Sequence, residues 1–193
     1  METTEEQRKE LLALARRSIA ARLKGADASG AGRRGIVVPC DEAAPEDPIY
    51  TELRAVFVTL HLAGRLRGCI GSLVASETLW QSVWSMAQSA AFHDPRFPPL
   101  AEAEFDRLDI EISVLSPFRE STIEDIIVGT HGVLLEKEGY SAVFLPEVAT
   151  EQGWNKETLL SELCRKAGLS ASSWKSGAQF STFTSEKFGE GRR

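Results

Sequence analysis

The residues that can do chemistry in this chain gather in one stretch, Leu66-Arg67-Gly68-Cys69-Ile70-Gly71. A thiolate is the reactive form of cysteine, and a neighbouring cation lowers the thiol pKa. Arg67 stands two residues before Cys69, on the same face if the stretch is a regular strand. An activated nucleophile also needs a base within reach. His61 supplies one if the preceding segment folds back as a hairpin, so Cys69 and His61 are the candidate catalytic pair. Two glycines inside a strand point to a bulge or a close approach of another backbone. The competing reading makes Cys69 a small residue buried between glycines, as free cysteine commonly is.

Arginine adds a second possibility. A guanidinium held rigidly binds a carboxylate or phosphate bidentately. Arg67 and Arg96 both qualify, Arg96 within the stiff segment Asp94-Pro95-Arg96-Phe97. The alternative for each is an internal ion pair, with Glu111 or Asp94 as partner, and for Arg96 that structural role is favoured. Arg67, Gly68, Gly71, Arg96 and Glu111 are therefore the candidate ligand-binding residues. His61, His93 and His131 stand far apart, and Cys40, Cys69 and Cys164 lack zinc-ligand spacing. No metal or cofactor is implied.

The elements that must position these residues follow from periodicity. Val56, Val58, Leu60 and Leu62 alternate with Phe57, Thr59 and His61, which predicts a strand over residues 54–62. Ala63-Gly64-Arg65 then makes a three-residue turn into a strand over residues 66–73. That turn pairs Leu62 with Leu66, Leu60 with Gly68 and Val58 with Ile70. It also sets Thr59 against Cys69 and His61 against Arg67 on the other face. A two-residue turn would instead put Leu60 against Arg67 and mix the faces.

Around this hairpin, Thr3 and Glu6 form a capping box for a helix over residues 5–24, stopped by Gly25. Residues 26–48 read as a linker with one short extended piece at Ile36-Val37-Val38. Ser76 caps a helix to about His93, whose apolar stripe places Trp80 and Trp84 in the core. A rigid loop to Leu100, a helical turn and a strand over residues 108–115 come next. Ser121-Thr122-Ile123-Glu124 matches a second, one-turn capping box. Residues 132–136 and 141–145 form another hairpin, followed by a short helix from Pro146. Asn155 caps a helix carrying Leu159, Leu160, Leu163 and Cys164, ended by Gly168. A last strand spans residues 178–188. The whole reads as a single domain with its main body over residues 50–188.

Composition excludes several classes. With 28 acidic and 22 basic residues the net charge is -6, which disfavours a nucleic-acid partner. The Arg33-Arg34 and Arg192-Arg193 pairs read as solvated charges. No apolar run approaches the ~20 residues of a membrane span. The N-terminal ten residues are polar and acidic, unlike a signal peptide. Three widely spaced cysteines imply free thiols and a cytoplasmic protein.

Several motifs together resemble the AMMECR-one domain family, called AmmeMemoRadiSam system protein A in bacteria. They are the hexapeptide, Asp94-Pro95-Arg96-Phe97 with Pro98-Pro99-Leu100, Glu111-Ile112-Ser113-Val114-Leu115 and Gly132-Val133. Phe144-Leu145-Pro146-Glu147-Val148, Gly153-Trp154, Lys166-Ala167-Gly168-Leu169 and Trp174 continue the series. The resemblance runs from about Arg8 to Phe188. It implies an α+β fold, with two related strand-and-helix halves around a barrel-like, mostly antiparallel sheet. The family's activity is not established. The resemblance implies a ligand-binding or partner-dependent component of a system that includes a Memo-like protein and a radical-SAM protein. An enzyme using Cys69 as nucleophile or redox thiol is the alternative.

Overall fold

The computed structural model describes residues 3–27 and 37–191. In chain order its elements are α1 (Glu5–Asp27), β1 (Val56–Leu62), β2 (Arg65–Gly71), α2 (Leu79–Phe92), α3 (Glu102–Phe105) and β3 (Leu108–Leu115). There follow β4 (Arg119–Ser121), β5 (Gly132–Lys137), β6 (Tyr140–Phe144), α4 (Pro146–Glu151), α5 (Lys156–Lys166), β7 (Gln179–Phe183) and β8 (Ser185–Gly189). Two antiparallel four-stranded sheets result, ordered β2-β1-β3-β8 and β4-β7-β5-β6, and neither closes into a barrel. The chain forms two compact units, Met1–Leu115 with Glu186–Arg193, and Ser116–Ser185.

In the first unit the capping box of α1 lies one residue later than the Thr3/Glu6 spacing predicts. The Gln7 N–H donates to the Thr4 hydroxyl, and the Thr4 N–H donates to Gln7 Oε1. Thr3 instead gives its hydroxyl and N–H to Glu186. Nor does Gly25 stop the helix, which continues to Asp27. One interior glycine costs only about 1 kcal/mol relative to alanine. Thr78, not Ser76, caps α2 by accepting the Gln81 N–H. Leu11, Leu14 and Ile19 of α1 and Leu79, Val83 and Ala87 of α2 share one core with Val58, Leu60, Ile110 and Ile112 of the sheet.

Trp80 and Trp84 are buried, as the stripe predicts, and their indole N–H groups donate to the carbonyls of Glu42 and Val38. Fully buried Gln88 accepts the Val38 N–H and donates to the Val38 carbonyl. Side chains of α2 thereby satisfy a backbone segment that has no strand partner among the described residues. Ile36 and the Arg33-Arg34 and Arg192-Arg193 pairs lie outside the described residues.

The β1–β2 hairpin departs from the three-residue turn. Ala63 and Gly64 both have positive φ, 51° and 73°, which is the two-residue turn whose twist suits paired strands. Leu62 then faces Arg65 and His61 faces Leu66, not Leu66 and Arg67. The register shifts between Leu60 and His61, so Arg67 is an extra, bulged residue. Beyond it the expected pairs return: Leu60 with Gly68, Thr59 with Cys69 and Val58 with Ile70. A two-residue turn without the bulge would mix the faces; with it, the apolar alternation is kept and Arg67 is re-aimed.

The second unit repeats the order of hairpin then helix. Glu138 and Gly139, both at positive φ, join β5 to β6. Asn155 caps α5 by accepting the Thr158 N–H. Leu159, Leu160, Leu163 and Cys164 pack on Val133, Leu135 and Phe180. Two expectations change here. Ser121 belongs to β4 and caps nothing; the N–H and hydroxyl of Thr122 donate to Asp125 in a turn. The single last strand is two, β7 and β8, which join different sheets.

Candidate functional site

The bulge divides the hexapeptide. Arg67 turns inward: only 8% exposed, its Nε and Nη2 donate to the two carboxylate oxygens of Glu104 at 2.7 and 2.9 Å. Glu104 also accepts the Ala101 N–H at the start of α3. The Arg67 guanidinium, first, and burial in opposition set the Glu104 carboxyl below its ordinary pKa. The ion-pair partner of Arg67 is thus Glu104, not Glu111 or Asp94. Glu111 pairs with Lys187 at 2.8 Å.

Both glycines are explained by close approach. A Cβ on Gly68 would lie 2.1 Å from the Ala90 carbonyl oxygen, so α2 rests directly on the strand backbone. A Cβ on Gly71 would lie 2.2 Å from the Phe57 ring, which covers it.

Cys69 faces the other way, on the side of the sheet opposite α2. Its row reads Cys69, Thr59, Glu111 across β2, β1 and β3. The Thr59 hydroxyl donates to Cys69 Sγ at 3.3 Å. His61 lies one row along, between Leu66 and Asp109, and is diagonal to Cys69 across the hairpin.

The cation beside Cys69 is Arg96. Asp94, whose side chain is 2% exposed, accepts the Cys69 N–H at 2.9 Å and the Arg96 N–H at 3.0 Å. It also receives Arg96 Nε at 2.9 Å and Nη2 at 2.7 Å. Arg96 Nη2 donates in addition to the Cys69 carbonyl at 3.3 Å, and the guanidinium interacts with the Cys69 side chain. Hydrogen bonds from Arg96, outweighing burial and assisted by the two N–H groups, hold the Asp94 carboxyl well below the usual carboxylate range. Asp94 is a fully satisfied buried carboxylate that locks the loop after α2 to β2.

Arg96 itself is 54% exposed along its side chain, and Nη1 makes no hydrogen bond among the described residues. The arrangement therefore presents a half-exposed guanidinium, oriented by a buried carboxylate, beside the Cys69 strand. That geometry suits an anion, which a pre-oriented guanidinium binds with little further ordering. Of the seven sequence candidates, Cys69 and Arg96 come together, with Glu111 in the same row beyond Thr59. Arg67, Gly68 and Gly71 are internal, and His61 stands one row along, diagonal to Cys69. Glu104 was missed; its spacing of three from Ala101 ahead of a short helix was the available sign. Among the described residues no group of three or more His, Cys, Asp or Glu is placed to hold a metal ion.

Comparison with known proteins agrees with this architecture. The AMMECR1 family matches residues 12–188. A protein of Methanosarcina acetivorans is 35% identical over 195 residues, covering 97% of this chain and 93% of the relative. Mbar_A1807 of Methanosarcina barkeri is 39% identical over 150 residues, covering 74% of each. The crystal structure of uncharacterized protein PH0010 from Pyrococcus horikoshii superposes with a TM-score of 0.81 at 34% identity, covering 100% of this chain and 95% of that one. With the family matched over residues 12–188 and a solved structure superposing over the whole chain, the chain belongs to the AMMECR1 family.

Proposed function

We propose that this protein is a binding component rather than a self-sufficient enzyme, and that it receives a small anionic ligand, or an acidic group of a partner, at Arg96 and Cys69. The observation that carries the reading is the Asp94 lock: one buried carboxylate holds the half-exposed Arg96 guanidinium against the Cys69 strand, and Nη1 makes no hydrogen bond among the described residues. Charge-assisted contacts of this kind are the strong hydrogen bonds. The Memo-like and radical-SAM partners come from the family resemblance, and they give the bound state its context. Arg96 beside Cys69, with His61 on the diagonal across the hairpin, supports the cysteine enzyme as the second reading.

Alkylation of Cys69, read by mass spectrometry with Cys40 and Cys164 as internal controls, tests the proposal. The arms are inorganic phosphate, succinate, and purified Memo-like and radical-SAM proteins. At least one arm should slow alkylation of Cys69 and leave Cys40 unchanged, and Arg96→Gln should abolish that protection. Protection by no arm, or equal protection in Arg96→Gln, would refute binding at this site. A covalent adduct on Cys69 that turns over would favour the enzyme.

A further inference from the structure

Strand β2 is an outermost strand of its sheet, and such a strand presents unpaired main-chain groups to any other extended chain. Which groups these are follows from the register. Residues opposite each other in an antiparallel pair alternately exchange both main-chain hydrogen bonds or neither. The Ser72 N–H donates to the Val56 carbonyl, so the bonded pairs are those in step with it, Ile70 with Val58 and Gly68 with Leu60. Cys69, opposite Thr59, falls between them and exchanges neither bond with β1. Its N–H and C=O both point out of the sheet edge.

Side chains meet both groups. The Cys69 N–H donates to Asp94 at 2.9 Å, and Arg96 Nη2 donates to the Cys69 carbonyl at 3.3 Å. A carboxylate acceptor and a guanidinium donor, two residues apart, thus occupy the places that the C=O and N–H of a further strand would take. The same loop continues along the edge, where Arg67 Nη2 donates to the Pro99 carbonyl at 3.4 Å. Pro95, Pro98 and Pro99 of this loop have no N–H to offer a further chain. The corresponding strand of the second unit, β6, is also outermost. There too a basic side chain meets a strand carbonyl: Lys166 Nζ donates to Val143 at 2.9 Å.

We infer that Asp94 and Arg96 plug the β2 edge by standing in for a further strand, and that removing them lets β2 pair with β2 of a second copy of this chain. The second copy fits because the contact is self-complementary. About a two-fold axis at Cys69, the N–H of each copy's Cys69 reaches the Cys69 carbonyl of the other. A two-fold contact of this kind closes at the dimer. The bulge at Arg67 breaks the regular edge on one side of Cys69, so the pairable stretch is short and two side chains suffice to block it.

Sedimentation velocity of the full chain over a range of concentrations tests this, with circular dichroism to confirm folding. The weight-average mass of Asp94→Ala/Arg96→Ala should rise with concentration above that of the wild type, toward its dimer. Asp94→Ser/Arg96→Ser keeps a short acceptor for the residue-96 N–H within the loop and should behave alike, which guards against collapse of the loop in the alanine variant. Adding Cys69→Pro to either variant removes the outward N–H at a position where an edge strand tolerates proline. The mass should then return to the wild-type value. A folded double variant that matches the wild type at every concentration would overturn the inference. So would association that persists with proline at position 69, as exposed core surface would produce.

Discussion

Replacing Asp94 by alanine removes the acceptor of four hydrogen bonds, two from main-chain N–H groups and two from the Arg96 guanidinium. These do not count equally. The guanidinium is half exposed, so its donors return to water and their loss is worth about 0–1 kcal/mol, as for surface pairs. Among the described residues the Cys69 N–H has no other acceptor, and it is partly buried, so leaving it unsatisfied costs about 1–3 kcal/mol. The expected destabilisation is about 1–4 kcal/mol, and the Cys69 amide should exchange with solvent correspondingly faster. Acidity supplies an independent check. The folded carboxyl lies below its ordinary value, first through Arg96 and then through the two N–H groups. Its stabilisation is therefore complete above the unfolded value of about 3.9 and lost as pH falls through the folded one. The stability gap between the wild type and Asp94→Asn should thus be widest near neutrality and narrow below about pH 4. Urea unfolding at both pH values with site-resolved hydrogen exchange measures this. An Asp94→Ala effect below about 0.5 kcal/mol, the scale of an ordinary surface change, or a gap that ignores pH, would refute the lock.

Gly68→Ala places a methyl 2.1 Å from the Ala90 carbonyl oxygen, a backbone atom, so β2 or α2 must shift and the melting temperature should fall by several degrees; Gly71→Ala meets only the Phe57 ring, which can rotate, and should cost less. Arg67→Met leaves Glu104 without its cation and should cost about 3–5 kcal/mol, whereas Arg67→Met combined with Glu104→Met should recover much of it, as buried pairs replaced by apolar residues do. Thermal unfolding of the single and double variants decides, and equal losses would refute an ion-pair origin.

Where one face of an element was plainly apolar, the sequence was sufficient. Leu108–Leu115, the β5–β6 hairpin with its Glu138-Gly139 turn, and the Asn155-capped helix fall where their patterns place them. The failures have physical causes. Thr3 resembled a helix cap locally, but a tertiary partner, Glu186, took its hydroxyl. The last strand was one continuous β-pattern, and no local signal says that its halves pair with different sheets. In the hairpin, parity selected the correct Thr59–Cys69 pairing through the wrong turn, because a bulge restores parity as well as an added turn residue does. The site suffered most from that ambiguity. Arg67 was placed beside Cys69 by strict alternation, and the bulge is what moves it away.

The strength of the hexapeptide as a family signature does not measure its chemistry. Gly68 is required by the carbonyl of Ala90, Gly71 by the ring of Phe57, and Arg67 by the carboxylate of Glu104. Each of these constraints concerns packing of β2 against its own unit, and each would persist in a protein that bound nothing. Cys69 is different. Its backbone is fixed by Asp94 and Arg96, but among the described residues its sulfur accepts a hydrogen bond from the Thr59 hydroxyl alone. Nothing in that environment demands a thiol over a serine hydroxyl, which would accept from Thr59 equally well. A packing account therefore explains three positions of the motif and leaves the cysteine over, beside a half-exposed arginine that a buried carboxylate holds in place. If function resides in this stretch, it resides where the packing explanation stops, at the junction of Cys69 and Arg96.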